Sequence, residues 1–190
     1  AYKWSWNRYH SFRVNAGTGF RVVSLFTEEH AALTGAREVI IEEKLNPEQS
    51  YNLTLNYLRQ WFLKSGTYLT LDASAWHTLF TNQILPAYDS DPNKIIYDNL
   101  DGRAVSQGVS AGITLKLPNG LSARAAGTWI DVKVTEAGDN GEEITYRPVL
   151  TEEWTGTWSI SYNWFKKNIT FDYTGNLYGP MRLPLLGPLD

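Results

Sequence analysis

The stretch Val109–Val134, VSAGITLKLPNGLSARAAGTWIDVKV, reads as one β-hairpin, and the face of it that meets water decides the fold. Before the turn, Val109, Ala111, Ile113, Leu115 and Leu117 share one side, and Ser110, Gly112, Thr114 and Lys116 share the other. That is the period of two of an extended strand. After Pro118-Asn119-Gly120 the alternation resumes, with Leu121, Ala123, Ala125, Gly127 and Trp129 opposite Ser122, Arg124 and Thr128. Each apolar run lasts about nine residues, the length a tilted strand needs to cross the hydrocarbon of a bilayer. Past Trp129 the pattern inverts, because Asp131 and Lys133 occupy the formerly apolar side. An apolar band of fixed height, closed by an aromatic residue and then by charge, ends a lipid-facing barrel strand. One hairpin of this kind also suits a half-buried soluble sheet.

The rest of the chain separates these readings. Strand-like segments recur at Trp4–Val14, Ser50–Phe62, Thr67–Phe80, Ala104–Leu117, Leu121–Val134, Trp154–Phe165 and Asn168–Tyr178. Their connections alternate strictly between long and short, the short ones falling at LKSG, PNG and KK. Membrane barrels alternate in this way, with tight turns at one end and extended loops at the other. Greek-key sandwiches have no reason to do so. The other strands repeat the two-faced pattern: Tyr51, Leu53, Leu55 and Tyr57 oppose Ser50, Asn52, Thr54 and Asn56. Trp61, Trp76, Trp129, Trp154 and Trp164 fall near strand ends, where an amphipathic ring bridges apolar and wet zones. The expected fold is therefore all-β, an antiparallel up-and-down meander forming a section of a transmembrane β-barrel. One short helix is expected in the first long connection, TEEHAALTGAREV, with Thr27 as N-cap, Glu28 and Glu29 in the first turn and Gly35 as its stop.

Composition narrows the function. The 190 residues are 14% aromatic and only 19% charged, with net charge −3 and no cysteine. The acidic balance argues against a nucleic-acid partner, and the absence of cysteine removes thiolate zinc sites and cysteine nucleophiles. No apolar run is long enough for a helical membrane span. His10, His30 and His77 are too dispersed to suggest a metal site, and the pairs Glu28–Glu29, Glu42–Glu43, Glu142–Glu143 and Glu152–Glu153 read as solvated loop charges. GTGFRV lacks the third glycine and the βαβ setting of a dinucleotide fingerprint, and no G-x-S-x-G elbow occurs. The sequons at Asn52 and Asn168 are placed inside strands. No catalytic, cofactor-binding or metal residue is therefore assigned, no cofactor is expected, and the ligand contacts are unknown.

Three stretches carry a resemblance. AGTGFRVVSLFTEEHAALTGAREVIIEEKLNPEQSYN resembles the G-F-R, acidic-helix, L-x-P-E-x-S-x-N region of TonB-dependent outer-membrane receptors. HTLFTNQILPAYDSDPNKIIYDNLDGRAVSQGVSAGI is similar to the strand, external loop and strand that follow, with F-T-N, then Y-x-N, then a glycine opening the next strand; DYTGNLYGPMRLP resembles a later strand and loop. The resemblance implies a barrel usually of 22 strands around an N-terminal plug, in the outer membrane of a Gram-negative bacterium. It implies import of a scarce nutrient, a metal chelate, cobalamin or a glycan, energised by TonB in the full-length protein. Residues 1–190 then form a partial barrel domain of about seven strands, without plug or TonB box. The partners implied are outer-membrane lipid and a small-molecule or glycan ligand, and the protein is not an enzyme. Carried onto the hairpin, the resemblance turns Val109, Ile113, Leu115, Leu117, Leu121 and Trp129 to lipid, and Lys116, Arg124 and Thr128 to the lumen. Haem-receptor subgroups carry F-R-A-P where this chain has Phe20-Arg21-Val22-Val23, so a haem ligand does not follow. The competing reading is a soluble β-sandwich whose Trp and Tyr side chains stack on carbohydrate. The location of the aromatic rings, on the apolar face near strand ends or clustered on a polar face, separates the two.

Overall fold

A computed structural model describes residues 1–22, 38–41, 45–87, 94–99, 102–137 and 142–183. Its main sheet runs as a meander through β1 (Tyr2–Asn7), β2 (His10–Arg21), β4 (Glu48–Phe62), β5 (Tyr68–Thr81), β8 (Gly102–Lys116), β9 (Leu121–Ala137), β11 (Trp154–Trp164) and β12 (Ile169–Tyr178). Every neighbour in this path is antiparallel. The short β10 (Glu143–Tyr146) pairs with the outer part of β9. A second, three-stranded sheet is built inside the first two long connections from β3 (Glu38–Ile41), β6 (Ile84–Ala87) and β7 (Lys94–Asn99); β3 and β7 run parallel.

The path has eight strands where the sequence suggests seven, because the segment Trp4–Val14 is a hairpin. Its turn is made without glycine or proline: Asn7 accepts the Tyr9 N–H on its side-chain oxygen at 2.9 Å. An asparagine that bonds its own backbone two residues on is a turn former, but alone it is a faint signal. The other short turns carry the expected chemistry. Gly66 and Gly120 take φ of 80° and 91°, and Asn119 caps its turn by accepting the Leu121 N–H at 3.1 Å. Asn168 belongs to the last turn, with φ of 52°, and not to a strand as the sequence suggested; Asn52 does lie within β4. The expected helix lies outside the described residues except for Glu38 and Val39 at its end, which open β3.

One buried apolar core would be expected of a soluble domain of this size. Among the described residues only Ile84, Ala104 and Val134 are buried apolar side chains. Ala104 and Val134 face each other across β8 and β9, packed by Phe80 and Tyr146 at the end of the sheet that bears the long connections. Most of the remaining apolar strand residues line one face of a single sheet layer, as the hairpin pattern requires of a wall.

Candidate functional site

The register places the two faces residue by residue. Val109, Ile113 and Trp129 stand 52%, 48% and 50% exposed on the apolar face, together with Leu115 and Leu121. Lys116, Arg124 and Thr128 share the opposite, polar face, where the Thr128 hydroxyl donates to Ser110 at 3.0 Å. The same parity continues through Leu53, Leu55 and Tyr57 on β4 and Ile160 and Tyr162 on β11. On the apolar face a broad groove of about 630 Å³ is floored by Ala73, Ala75, Ala111 and Gly127 and walled by Tyr57, Trp129 and Trp154.

The apolar band is slanted across the strands. One row of paired residues reads Ala16, Leu53, His77, Gln107, Asp131, from apolar to charged. On β9 the last aromatic, Trp129, lies two residues below that row, whereas on β2 Phe20 lies four residues above it. Six residues along the strand is roughly 20 Å, and four strand spacings roughly 19 Å, so a level band requires a strand tilt of roughly 45°. Membrane barrels tilt their strands by about that angle. From Leu121 to Trp129, eight residue rises at that tilt, the backbone of the band spans about 19 Å, and the rings at its borders extend it toward the roughly 25 Å of such barrels. Aromatic rings follow both borders: Phe20, Tyr51, Trp129 and Trp154 on the loop side, Trp6, Tyr57, Trp61 and Trp164 on the turn side. Trp76 is the exception to the sequence reading. It shares the polar face with Ser74 and Thr78, and its ring fills the space that a side chain at Gly108 would occupy.

The polar face carries Lys3, Arg13, Lys116 and Arg124, with Asp72 3.9 Å from Arg124. Lys3, Arg13, Asn56, Asp72 and Ser74 line a hollow of about 300 Å³. Gly112 lies beneath Asp72, where a side chain would collide with the carboxylate.

At the loop end, the residues of the recurring motifs converge. Asn99 of Y-x-N donates to the carbonyls of Asn46 and Asn82 at 3.0 and 2.8 Å and accepts the Asn46 N–H at 2.5 Å. Glu48 of L-x-P-E accepts the Ile84 N–H and pairs with Arg21 of G-F-R, both at 3.3 Å. Four motifs, with Asn82 closing F-T-N, thus form one latch between the first two long connections. A second latch has no motif signal. Arg147 donates to the carbonyls of Ile130, Thr151 and Glu152 and sits 3.8 Å from Asp131, tying the third long connection to the wall. Burial, with the Glu136 carboxylate beside it, pushes the nearby Tyr146 phenol up from its ordinary value.

His10 and His77 lie at opposite ends of the apolar face. His77 bonds Gln107, and His10 is held between the Tyr57 hydroxyl at 2.7 Å and Arg59 at 2.9 Å. Arg59 can only donate, so Nδ1 is the acceptor of that contact. His30 and the pairs Glu28–Glu29 and Glu42–Glu43 lie outside the described residues. Glu142–Glu143 and Glu152–Glu153 border the third connection, and no cluster of three metal-ligating side chains occurs among the described residues.

These features define a membrane-barrel wall, and comparison with known proteins supplies its family. Residues 1–182 match the family described as TonB dependent receptor-like, beta-barrel, and the chain belongs to that family. Its members are outer-membrane receptors and transporters rather than enzymes. The chain is similar in structure to the FrpB iron transporter from Neisseria meningitidis (F3-3 variant), with TM-score 0.62 and 14% identity over 92% of this chain and 25% of that one. It is similar also to a double mutant of the Serratia marcescens hemophore receptor HasR, solved in complex with its hemophore HasA and heme, with TM-score 0.66 and 13% identity over 92% of this chain and 30% of that one. The chain therefore spans less than a third of either neighbour. No curated protein matches its sequence.

Proposed function

We propose that this chain is a section of the barrel wall of an outer-membrane receptor that imports a scarce nutrient with energy supplied through TonB. The observation that carries this reading is the inverted polarity of the sheet. A slanted apolar band with an aromatic border on each side lies uncovered on one face, while charged and hydroxylated side chains fill the other. In water this arrangement exposes what should be buried; in a bilayer, acyl chains fill the groove over Ala73, Ala111 and Gly127. The polar face then lines the lumen, and Lys3, Arg13 and Arg124 give that stretch of wall an affinity for anionic groups, whether on a plug or on a passing metal chelate. The iron carried by one structural neighbour and the heme bound with the other support a metal-containing nutrient. The missing Ala-Pro after Phe20-Arg21 favours a chelate other than haem.

The soluble sandwich loses its support because no second layer covers the apolar face among the described residues, and rings follow both borders of the band instead of clustering on the polar face. Topology is the direct test. In whole cells, a membrane-impermeant thiol reagent should label a cysteine at Glu142, beside the third long connection, and should miss one at Asn119. Labelling of Glu142→Cys only after permeabilisation inverts the proposed orientation.

A further inference from the structure

The two ends of the sheet differ in charge far more than the net charge of −3 suggests. The four short connections, at 8–9, 63–67, 117–120 and 165–168, contain Arg8, Lys64, Lys166 and Lys167 and no carboxylate. The three long connections, at 22–47, 82–101 and 138–153, contain fourteen carboxylates against four cations. Pairing differs as well. Near the loop end Arg21, Arg103, Lys133 and Arg147 each lie within 4 Å of a carboxylate. Arg8, Lys64, Lys166 and Lys167 are exposed and form no ion pair among the described residues.

A fifth cation marks where this charge meets the apolar band. Arg59 lies on the apolar face at its turn-side border, between Tyr57 and Trp61 on the same side of β4. Its guanidinium donates to His10 and lies 5.3 Å from the centre of the Trp61 ring, with no carboxylate partner among the described residues. A cation facing lipid at the level of the aromatic border meets headgroups, not solvent alone. Its long side chain reaches that layer while the guanidinium stays over the Trp61 ring.

From this we propose that the turn end is a binding surface for anionic phospholipid, with Arg59 and the turn cations Arg8, Lys64, Lys166 and Lys167 engaging headgroup phosphates of the leaflet nearest the short turns. A cluster of cations beside a membrane surface gains from each anionic headgroup it neutralises, and the gain fades with salt over a Debye length. The acidic loop end offers the opposite leaflet no such attraction. The inference rests on the membrane reading proposed above, and the two can fail separately.

The test uses the full-length protein reconstituted in phosphatidylcholine bilayers carrying a trace of spin-labelled lipid, headed by either phosphatidylglycerol or phosphatidylcholine. The spectral component from lipid immobilised at the protein gives the relative association constant of the two headgroups. The glycerol headgroup should be preferred about twofold in low salt, and R8Q/R59Q/K64Q/K166Q/K167Q should bring the ratio to about one. R103Q/K133Q, at the loop end, should leave it unchanged. A preference that survives the fivefold substitution, or that disappears with R103Q/K133Q, overturns the proposal. So does a native ratio of one. Retention of soluble polyglutamate by the native protein but not by the fivefold variant, without any headgroup preference, assigns the surface to an acidic protein partner instead. If no immobilised lipid appears at all, the membrane reading itself fails.

Discussion

The turn end and the loop end of this sheet are closed by different means. At the turn end, two to five residues reverse the chain, and local chemistry suffices: glycine at positive φ, an asparagine bonding its own backbone, and register fixed by turn length. At the loop end, connections of sixteen residues and more leave the wall, and only contacts between distant segments hold their bases. Asn99 and Arg147 make those contacts, and the one buried apolar pair among the described residues, Ala104 and Val134, lies at the same end. The difference teaches that a barrel wall can be specified locally where it turns tightly, but needs long-range latches where its connections are long.

The apolar band that separates the ends sets the largest expected effect. Leu115→Arg should cost about 2–4 kcal/mol of stability in reversible unfolding from lipid vesicles, and Thr114→Arg, one residue away on the polar face, much less. Equal losses would dissolve the distinction between the faces, and with it the meaning of the ends. Next, Arg147→Ala should cost about 1.5–3 kcal/mol, since a charged donor to several carbonyls is removed. Hydrogen exchange should show the loss around β10 and residues 147–153 while the turn at Pro118–Gly120 stays protected. If protection falls at both ends together, they are not independent units.

Gly120→Ala probes the other end. A residue with a side chain at φ of 91° pays about 1–2 kcal/mol in backbone strain, and its Cβ would also meet the Asn163 carbonyl at 2.5 Å. The latches of the loop end should not respond. Alkaline pH gives a smaller contrast. The folded Tyr146 phenol titrates above its ordinary value of 10.0, so its contribution is complete below that pH and is lost as pH rises through the folded value. Protection of β10 should therefore decline in strong alkali before that of the turns, and Tyr146→Phe should flatten the decline. Smallest of all, Lys64→Gln with Lys166→Gln in neutral detergent should change stability by less than about 0.5 kcal/mol, because these side chains touch nothing that folding depends on.

The sequence by itself determined the strands, their two faces and the alternation of short and long connections, because side-chain parity and turn residues are local properties. The resembling motifs also marked Arg21, Glu48, Asn82 and Asn99, although nothing in their spacing says that they meet. Tertiary structure decided the rest. It split Trp4–Val14 at a turn whose only signal is Asn7, and it put Trp76 on the polar face, where the register gives its ring the space over Gly108. It also gathered the first latch and revealed Arg147, an arginine indistinguishable in sequence from any loop cation. The slant of the apolar band likewise exists only once register aligns Ala16 with Asp131 across five strands, for tilt is a relation between strands that no single strand can encode.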